Sequence, residues 1–282
     1  VNIMRIIPPE LITQKVAELV SDCNYFLPHD VVNALKEAAE NEDDKKAKTI
    51  LYKIIENHKT AKKGVYPLCQ DTGIAVVYLE SGNEVSVSGD IYRAINKGVE
   101  EGYSKSFLRK SVANPLTRSN TGTNTPAIIH TSLIKGPNIR ISIMTKGAGS
   151  ENKGAMKMLS PADGAQAIMD FVLETVKKAG ASACPPYIVG VGIGGNMETC
   201  ALLAKKSLLR SVNDFNGGDK EALKLEKDLL REINMLGIGP LGFGGRTTAL
   251  AVKVETFPCH IASLPVAVCI QCHSARHKTI TI

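Results

Sequence analysis

The stretch CPPYIVGVGIGGNMETCALLAKKS, residues 184–207, decides the fold class. Ile188, Val189, Val191 and Ile193 form a β-branched run that reads as a strand; the glycines after it read as a turn, and a helix is predicted from about 196 to 210. A strand that feeds a helix through a glycine turn is an α/β unit. Working outward, a helix is expected over 160–179, opened by Ser160-Pro161-Ala162-Asp163, and a charged helix over 219–235. GIGPLGFGGRTTALAVKVETF (237–257) reads as a loop entering a strand, and KGAGSENKGAMKML (146–159) as a glycine loop entering a helix. Residues 126–134 and 138–145 read as two strands joined in a hairpin at Gly136-Pro137. IAVVYLE (74–80) reads as a strand after the turn PLCQDTG, and 91–103 as a helix. The first 60 residues carry helical spacing, with Asp30 expected to cap VVNALKEAAENE. The expectation is a mixed α/β chain forming one domain over 1–282, with a helical part (1–60) ahead of small sheets flanked by helices (61–282).

Composition bounds the function. Of 282 residues, 44% are apolar and 22% charged, which is ordinary for a globular chain and excludes wholesale disorder or a coiled coil. No apolar run is long enough for a membrane span, and VNIMRIIPPE has no signal-peptide pattern, so a cytoplasmic protein is expected. The net charge of +6 comes from Lys residues scattered among acids; with seven Tyr, six Phe and no Trp, this argues against a nucleic-acid partner.

Seven cysteines at wide, irregular spacing do not make a disulfide scaffold. Cys69 precedes a polar turn, Cys184 precedes two prolines, and Cys272 ends a strand before His273. On spacing alone they are either metal ligands that converge in the fold or unrelated structural thiols. Cys269-x-x-Cys272, with Cys259 and His273, offers a second possibility, a zinc or redox module. Against it, strand alternation turns Cys269 and Cys272 to opposite faces, and Cys269 reads as small apolar filler. Gly190, Gly192 and Gly195 fit a dinucleotide-turn register, and Asp214 lies near the distance of the acidic partner. The stretch SVNDFNGGD around Asp214 reads as a polar loop rather than a second strand. Close packing of strand on helix is the competing explanation for these glycines.

Six segments taken together carry a resemblance. CQDTG (69–73), SNTGTNTPA (119–127), KGAGSENK (146–153), CPPY (184–187), GIGG (192–195) and HIASLPVAVCIQC (260–272) stand in family order. The chain resembles the iron–sulfur hydro-lyases, namely class I fumarate hydratases and their relative L-tartrate dehydratase. The resemblance implies glycine-rich loops converging on a 4Fe–4S cluster held by Cys69, Cys184 and Cys272, with one iron open. It implies substrate-binding roles for Gln70 and Arg109 and catalytic roles for Asp71 and His260. Each has a blander alternative: turn chemistry for Gln70 and Asp71, a solvated helix-end side chain for Arg109, a structural role for His260. Gly147 and Gly149 would let backbone N–H groups approach an anion, and Asn120, Thr121 and Thr123 would be polar wall residues.

The chain stops ten residues past Cys272. Single-chain members continue into a domain with the catalytic base. The resemblance therefore implies an α subunit, completed by a β subunit in a homo- or hetero-oligomer and acting on a small dicarboxylate. Hydration of fumarate to L-malate is the leading expectation. Dehydration of L-tartrate to oxaloacetate is the nearest alternative.

Overall fold

The computed structural model describes residues 4–215 and 219–282. Val1, Asn2, Ile3, Asn216, Gly217 and Gly218 lie outside the described residues, so the N-terminal reading and the polar-loop reading are covered only in part. The first elements are β1 (Arg5–Ile7), α1 (Pro9–Tyr25), α2 (His29–Glu40), α3 (Lys45–Ala61), β2 (Ile74–Gly82), β3 (Val85–Val87) and α4 (Ile91–Lys105). Next come β4 (Ile128–Ile134), β5 (Ile139–Lys146), α5 (Ala148–Glu151), β6 (Ala155–Leu159) and α6 (Gly164–Ala179). The last are β7 (Tyr187–Gly194), α7 (Met197–Ser207), α8 (Lys220–Met235), β8 (Ala249–Phe257), β9 (Leu264–Gln271) and β10 (His277–Thr281). Among the described residues no helix is long and apolar enough to cross a membrane.

The contacts divide the chain into two compact units. Unit 1 comprises residues 1–28, 58–147 and 276–282; unit 2 comprises 29–57 and 148–275. Helices at the start and a mixed α/β chain after them are what the sequence predicts.

Unit 1 holds a four-stranded sheet in the order β10-β5-β2-β4. β2 is its centre, with residues 75–79 all buried. α1 begins with Pro9 at its first position and turns Ile12, Val16, Leu19, Val20 and Cys23 inward. α4 is capped by Asp90, which accepts from the Arg93 amide at 2.9 Å. α1 and α4 approach closely because α4 offers glycine at the contact: a Cβ on Gly98 would stand 2.6 Å from the Thr13 carbonyl oxygen. Burying Val or Ile side chains of this core contributes about 1.5–3 kcal/mol each. The expected hairpin is not formed. β4 and β5 do not pair; β2 lies between them, parallel to β4 and antiparallel to β5. The turn at Gly136 still exists, but it packs on Gly82 at the end of β2, where a Cβ would lie 2.0 Å from the Gly136 oxygen.

Unit 2 holds the sheet β6-β9-β7-β8. The glycines of β7 are explained by packing. A Cβ on Gly190 would meet the Ala204 oxygen at 2.1 Å, and one on Gly192 the Cys200 oxygen at 2.0 Å, so α7 lies directly on the bare strand. Asn196 and Asp219 cap α7 and α8 through amides at 2.9 and 3.0 Å. Two expectations are corrected here. GAMKML does not enter a helix: α5 is a single turn, and Ala155–Leu159 instead pairs antiparallel with β9. Sheet pairing overrides the weak helical preference of so short a run. Asp30 is not a cap either. It sits inside the first turn of α2, and its Oδ2 accepts from Ser211 Oγ at 2.6 Å and the Val212 amide at 2.8 Å.

Candidate active site

In unit 1 the CQDTG turn is fixed by its backbone. The Leu68 amide donates to the Asn24 carbonyl at 2.8 Å. Thr72 Oγ1 donates to the Arg109 carbonyl at 2.7 Å. The Tyr103 hydroxyl lies 2.8 Å from the Thr72 carbonyl and 2.9 Å from that of Gly73, and Asn124 Nδ2 donates to Gly73 at 3.2 Å. Arg276 Nη1 donates to the Asp71 carbonyl at 2.6 Å. Gly73 has φ +72°, and a Cβ there would sit 2.5 Å from the Lys146 carbonyl, so only glycine fits. With the main chain held inward, Gln70 is exposed and Cys69 and Asp71 are half-buried.

Other expected residues of unit 1 gather round this turn to different degrees. Arg109 joins it through its carbonyl while the residue itself is exposed. Gly147 is buried, and a Cβ on it would stand 3.0 Å from both Asp71 Oδ2 and Arg276 Nη2. A side chain at Gly147 would therefore crowd the ends of Asp71 and Arg276. Asn120, Thr121 and Thr123 are on the outer loop. Asn120 Nδ2 donates to the Lys110 carbonyl at 3.0 Å, and the Thr121 amide to the Val112 carbonyl at 2.9 Å.

In unit 2, Cys184 is exposed and left-handed, with φ +55°, between a short 3-10 turn and Pro185-Pro186. Its carbonyl accepts from the His273 amide at 3.2 Å and lies 3.0 Å from His273 Nδ1. The loop of Cys184 is thus tied to the residue that follows Cys272. Cys272 is half-buried just past β9, with Gln271 Nε2 3.7 Å from its sulfur. His260 is exposed on the turn before β9, and its Nδ1 accepts from the Ala262 amide at 3.1 Å. An accepting Nδ1 leaves the ring proton on Nε2, so the neutral ring is a donor there. Gly149 is exposed in α5.

The model of the family described as Fumarate hydratase (Fumerase) matches residues 13–281. The chain is 46% identical over 272 residues to a Methanocaldococcus jannaschii protein provisionally named L(+)-tartrate dehydratase subunit alpha, covering 94% of this chain and 95% of the relative. It is 30% identical over 275 residues to the L(+)-tartrate dehydratase subunit alpha of Escherichia coli K12, covering 96% and 90%. This chain belongs to the fumarate hydratase family. With that family it belongs to the hydro-lyases.

In this fumarate hydratase family chain the seven thiols sort by access. Cys23, Cys200 and Cys269 are buried, and burial pushes the Cys23 thiol up to about 12. Cys69, Cys184, Cys259 and Cys272 are accessible or partly so. Cys259 Sγ donates to the Ser263 carbonyl within its own turn, at 3.1 Å. Among the described residues no three His, Cys, Asp or Glu side chains meet at a point that would hold one metal ion. That counts against a zinc module at Cys259, Cys269, Cys272 and His273, in which one ion takes all the ligands. In an iron–sulfur cluster each thiolate binds its own iron, so the ligands need not share a point. Reachable thiols on backbone-fixed loops, one with an amide N–H beside its sulfur, suit that donor set.

Sequence reasoning missed Tyr103, Asn124 and Arg276. Asn124 is fully buried at φ +62°, and its Oδ1 accepts from the amides of Ser111 and Val112 at 2.5 and 3.1 Å. It therefore joins the segment after Arg109 to the CQDTG turn. A signal was present in the asparagine of SNTGTNTPA, since asparagine tolerates the left-handed conformation better than most residues.

Proposed function

We propose that this chain is the cluster-bearing α subunit of a two-subunit hydro-lyase that interconverts fumarate and L-malate. The observation that carries the proposal is the CQDTG turn, whose backbone carbonyls are held by Tyr103, Asn124 and Arg276 while Cys69 and Gln70 remain accessible. Cys69, Cys184 and Cys272 would hold a 4Fe–4S cluster. Bound there with three protein thiolates, it supplies a Lewis acid that makes hydroxide a feasible leaving group.

The remaining work falls to side chains. The Arg109 guanidinium presents a planar fork that suits one carboxylate of the dianion. Gln70 offers an amide donor to the same substrate. His260, with its proton on Nε2, serves as a donor to substrate oxygen rather than as the base. Asp71 orients the substrate hydroxyl, its own position fixed by Arg276 and by the Gly73 amide on Oδ1 at 3.1 Å. The base that removes the C3 proton would come from a β subunit. The name "subunit alpha" borne by the relatives supports such a partner.

A second reading is dehydration of L(+)-tartrate to oxaloacetate, favoured by the names of the same relatives. The two substrates differ by one hydroxyl in place of a hydrogen, so a small change of pocket separates them. Initial rates on fumarate and on both tartrate enantiomers test the choice, with the α chain reconstituted anaerobically with and without β. Turnover is expected only with β, fastest on fumarate. Full activity of α alone would refute the divided site.

A further inference from the structure

Cys184 holds a backbone conformation that its own chemistry disfavours. It stands at φ +55° and ψ +68°, in the left-handed region. There a Cβ crowds the following carbonyl oxygen, so glycine, and less often asparagine, usually occupies such a position. Pro185 follows, and a residue before proline is pushed toward extended backbone. Glycine at 184 would remove the first conflict, but only cysteine brings a thiol. Strain of this kind persists where the surroundings over-determine the conformation.

The surroundings do so here, all within unit 2. The Cys184 amide donates to the Ala181 carbonyl at 3.0 Å, closing the short 3-10 turn. The Cys184 carbonyl takes the His273 amide at 3.2 Å and lies 3.0 Å from His273 Nδ1. A carbonyl oxygen can only accept, so Nδ1 is the donor. The next carbonyl, that of Pro185, accepts from the Leu241 amide at 2.9 Å. Leu241 is itself left-handed at φ +51°, and beside it Gly242 lies so close to the turn that a Cβ would stand 2.4 Å from the Ala181 Cβ. Among these donors only the His273 imidazole is a side chain. Any residue but proline would supply the amides; the Nδ1 bond depends on what stands at 273.

We propose that His273 is a positioning residue for Cys184: its imidazole holds the Cys184 carbonyl and so keeps the thiol-bearing residue in its left-handed turn. The inference rests on the reading of Cys184 as a cluster ligand. A ligand fixed before the metal arrives loses less conformational freedom on binding, so the loaded site releases iron more slowly. The arrangement also joins two of the three proposed ligands, because the residue that follows Cys272 fixes the backbone of Cys184.

The test reconstitutes the full chain without oxygen, adds a chelator and follows the loss of iron. His273→Leu should lose iron about fivefold faster than wild type, the factor that one hydrogen bond is worth. His273→Asn, whose side-chain amide can donate from the place of Nδ1, should restore most of the wild-type rate. In the metal-free chain, hydrogen exchange at the Cys184 amide should quicken in His273→Leu and not in His273→Asn. Cys184→Gly should raise the thermal midpoint of the metal-free chain, because glycine relieves the strain, while failing to hold a full cluster. A Leu variant with wild-type iron loss and exchange, an Asn variant no better than Leu, or a Cys184→Gly chain less stable than wild type would overturn the proposal. Full iron in Cys184→Ser would overturn it from the other side, by removing the ligand role while the exchange result stood, so the two failures are told apart.

Discussion

Arg276 is 1% exposed, and its Nη1 reaches two segments of unit 1: the Asp71 carbonyl at 2.6 Å and Asn24 Oδ1 at 3.2 Å. The cation lies four residues past Cys272 and fixes the backbone two residues past Cys69. Arg276→Met keeps most of the volume and leaves the buried Asn24 oxygen and the part-buried Asp71 carbonyl without their donor. The expected cost is about 2–3 kcal/mol, read as a lowered urea midpoint at unchanged slope. A midpoint equal to wild type would show that the clamp is not holding the turn.

Asn124→Asp preserves the acceptor for Ser111 and Val112 but removes the donor to Gly73. A lost donor to a buried carbonyl costs on the order of 1–3 kcal/mol. Asn124→Gly keeps the backbone conformation and loses both sets of bonds, so it should be the less stable of the two. Thermal unfolding of the pair checks the order.

Gly192→Ala tests the glycines of β7 as packing residues. The new methyl would stand 2.0 Å from the Cys200 oxygen and 2.6 Å from the Ala204 nitrogen, so α7 must move off the sheet. The expected loss is about 1–3 kcal/mol by overpacking. An alanine variant as stable as wild type would contradict direct contact between α7 and the strand.

The buried Cys23 thiol, raised from 9.0 to about 12 by burial, stays protonated at pH 8. Iodoacetamide at that pH should modify Cys184 and Cys259 first and spare Cys23, Cys200 and Cys269. The raised value also has a stability consequence. The folded state keeps a proton that the unfolded thiol releases, so its contribution is complete below pH 9 and is lost as pH rises toward 12. Peptide mapping checks the labelling; denaturant midpoints at pH 8 and pH 10 for wild type and Cys23→Ala check the second effect, which the variant should lack.

Much of this chain could be read from local pattern. The strand IAVVYLE stands where its β-branched run puts it, buried on both faces, and the helix expected over 160–179 runs over Gly164–Ala179 behind a short 3-10 turn. Pairing was less legible. Two strands flanking Gly136 suggest a hairpin, yet β2, more than forty residues earlier, lies between them. GAMKML became a strand because β9 pairs with it, a partner more than a hundred residues away. The exposed members of the candidate site announced themselves as unusual cysteines and polar turns. Tyr103 and Arg276 did not, and Asn124 did so only as an asparagine that tolerates left-handed φ, because each acts through bonds to distant backbone groups that no local pattern encodes.

Cys69, Cys184 and Cys272 are proposed to hold the cluster together, and a count of its atoms tests that most directly. Iron and sulfide should be counted after anaerobic reconstitution of wild type and of single serine variants at Cys69, Cys184, Cys259, Cys269 and Cys272. Wild type, Cys259→Ser and Cys269→Ser should retain about four of each per chain, and the other three variants should lose most of it. Full iron in Cys69→Ser, or a wild-type chain that takes up zinc and no iron, would contradict this ligand set.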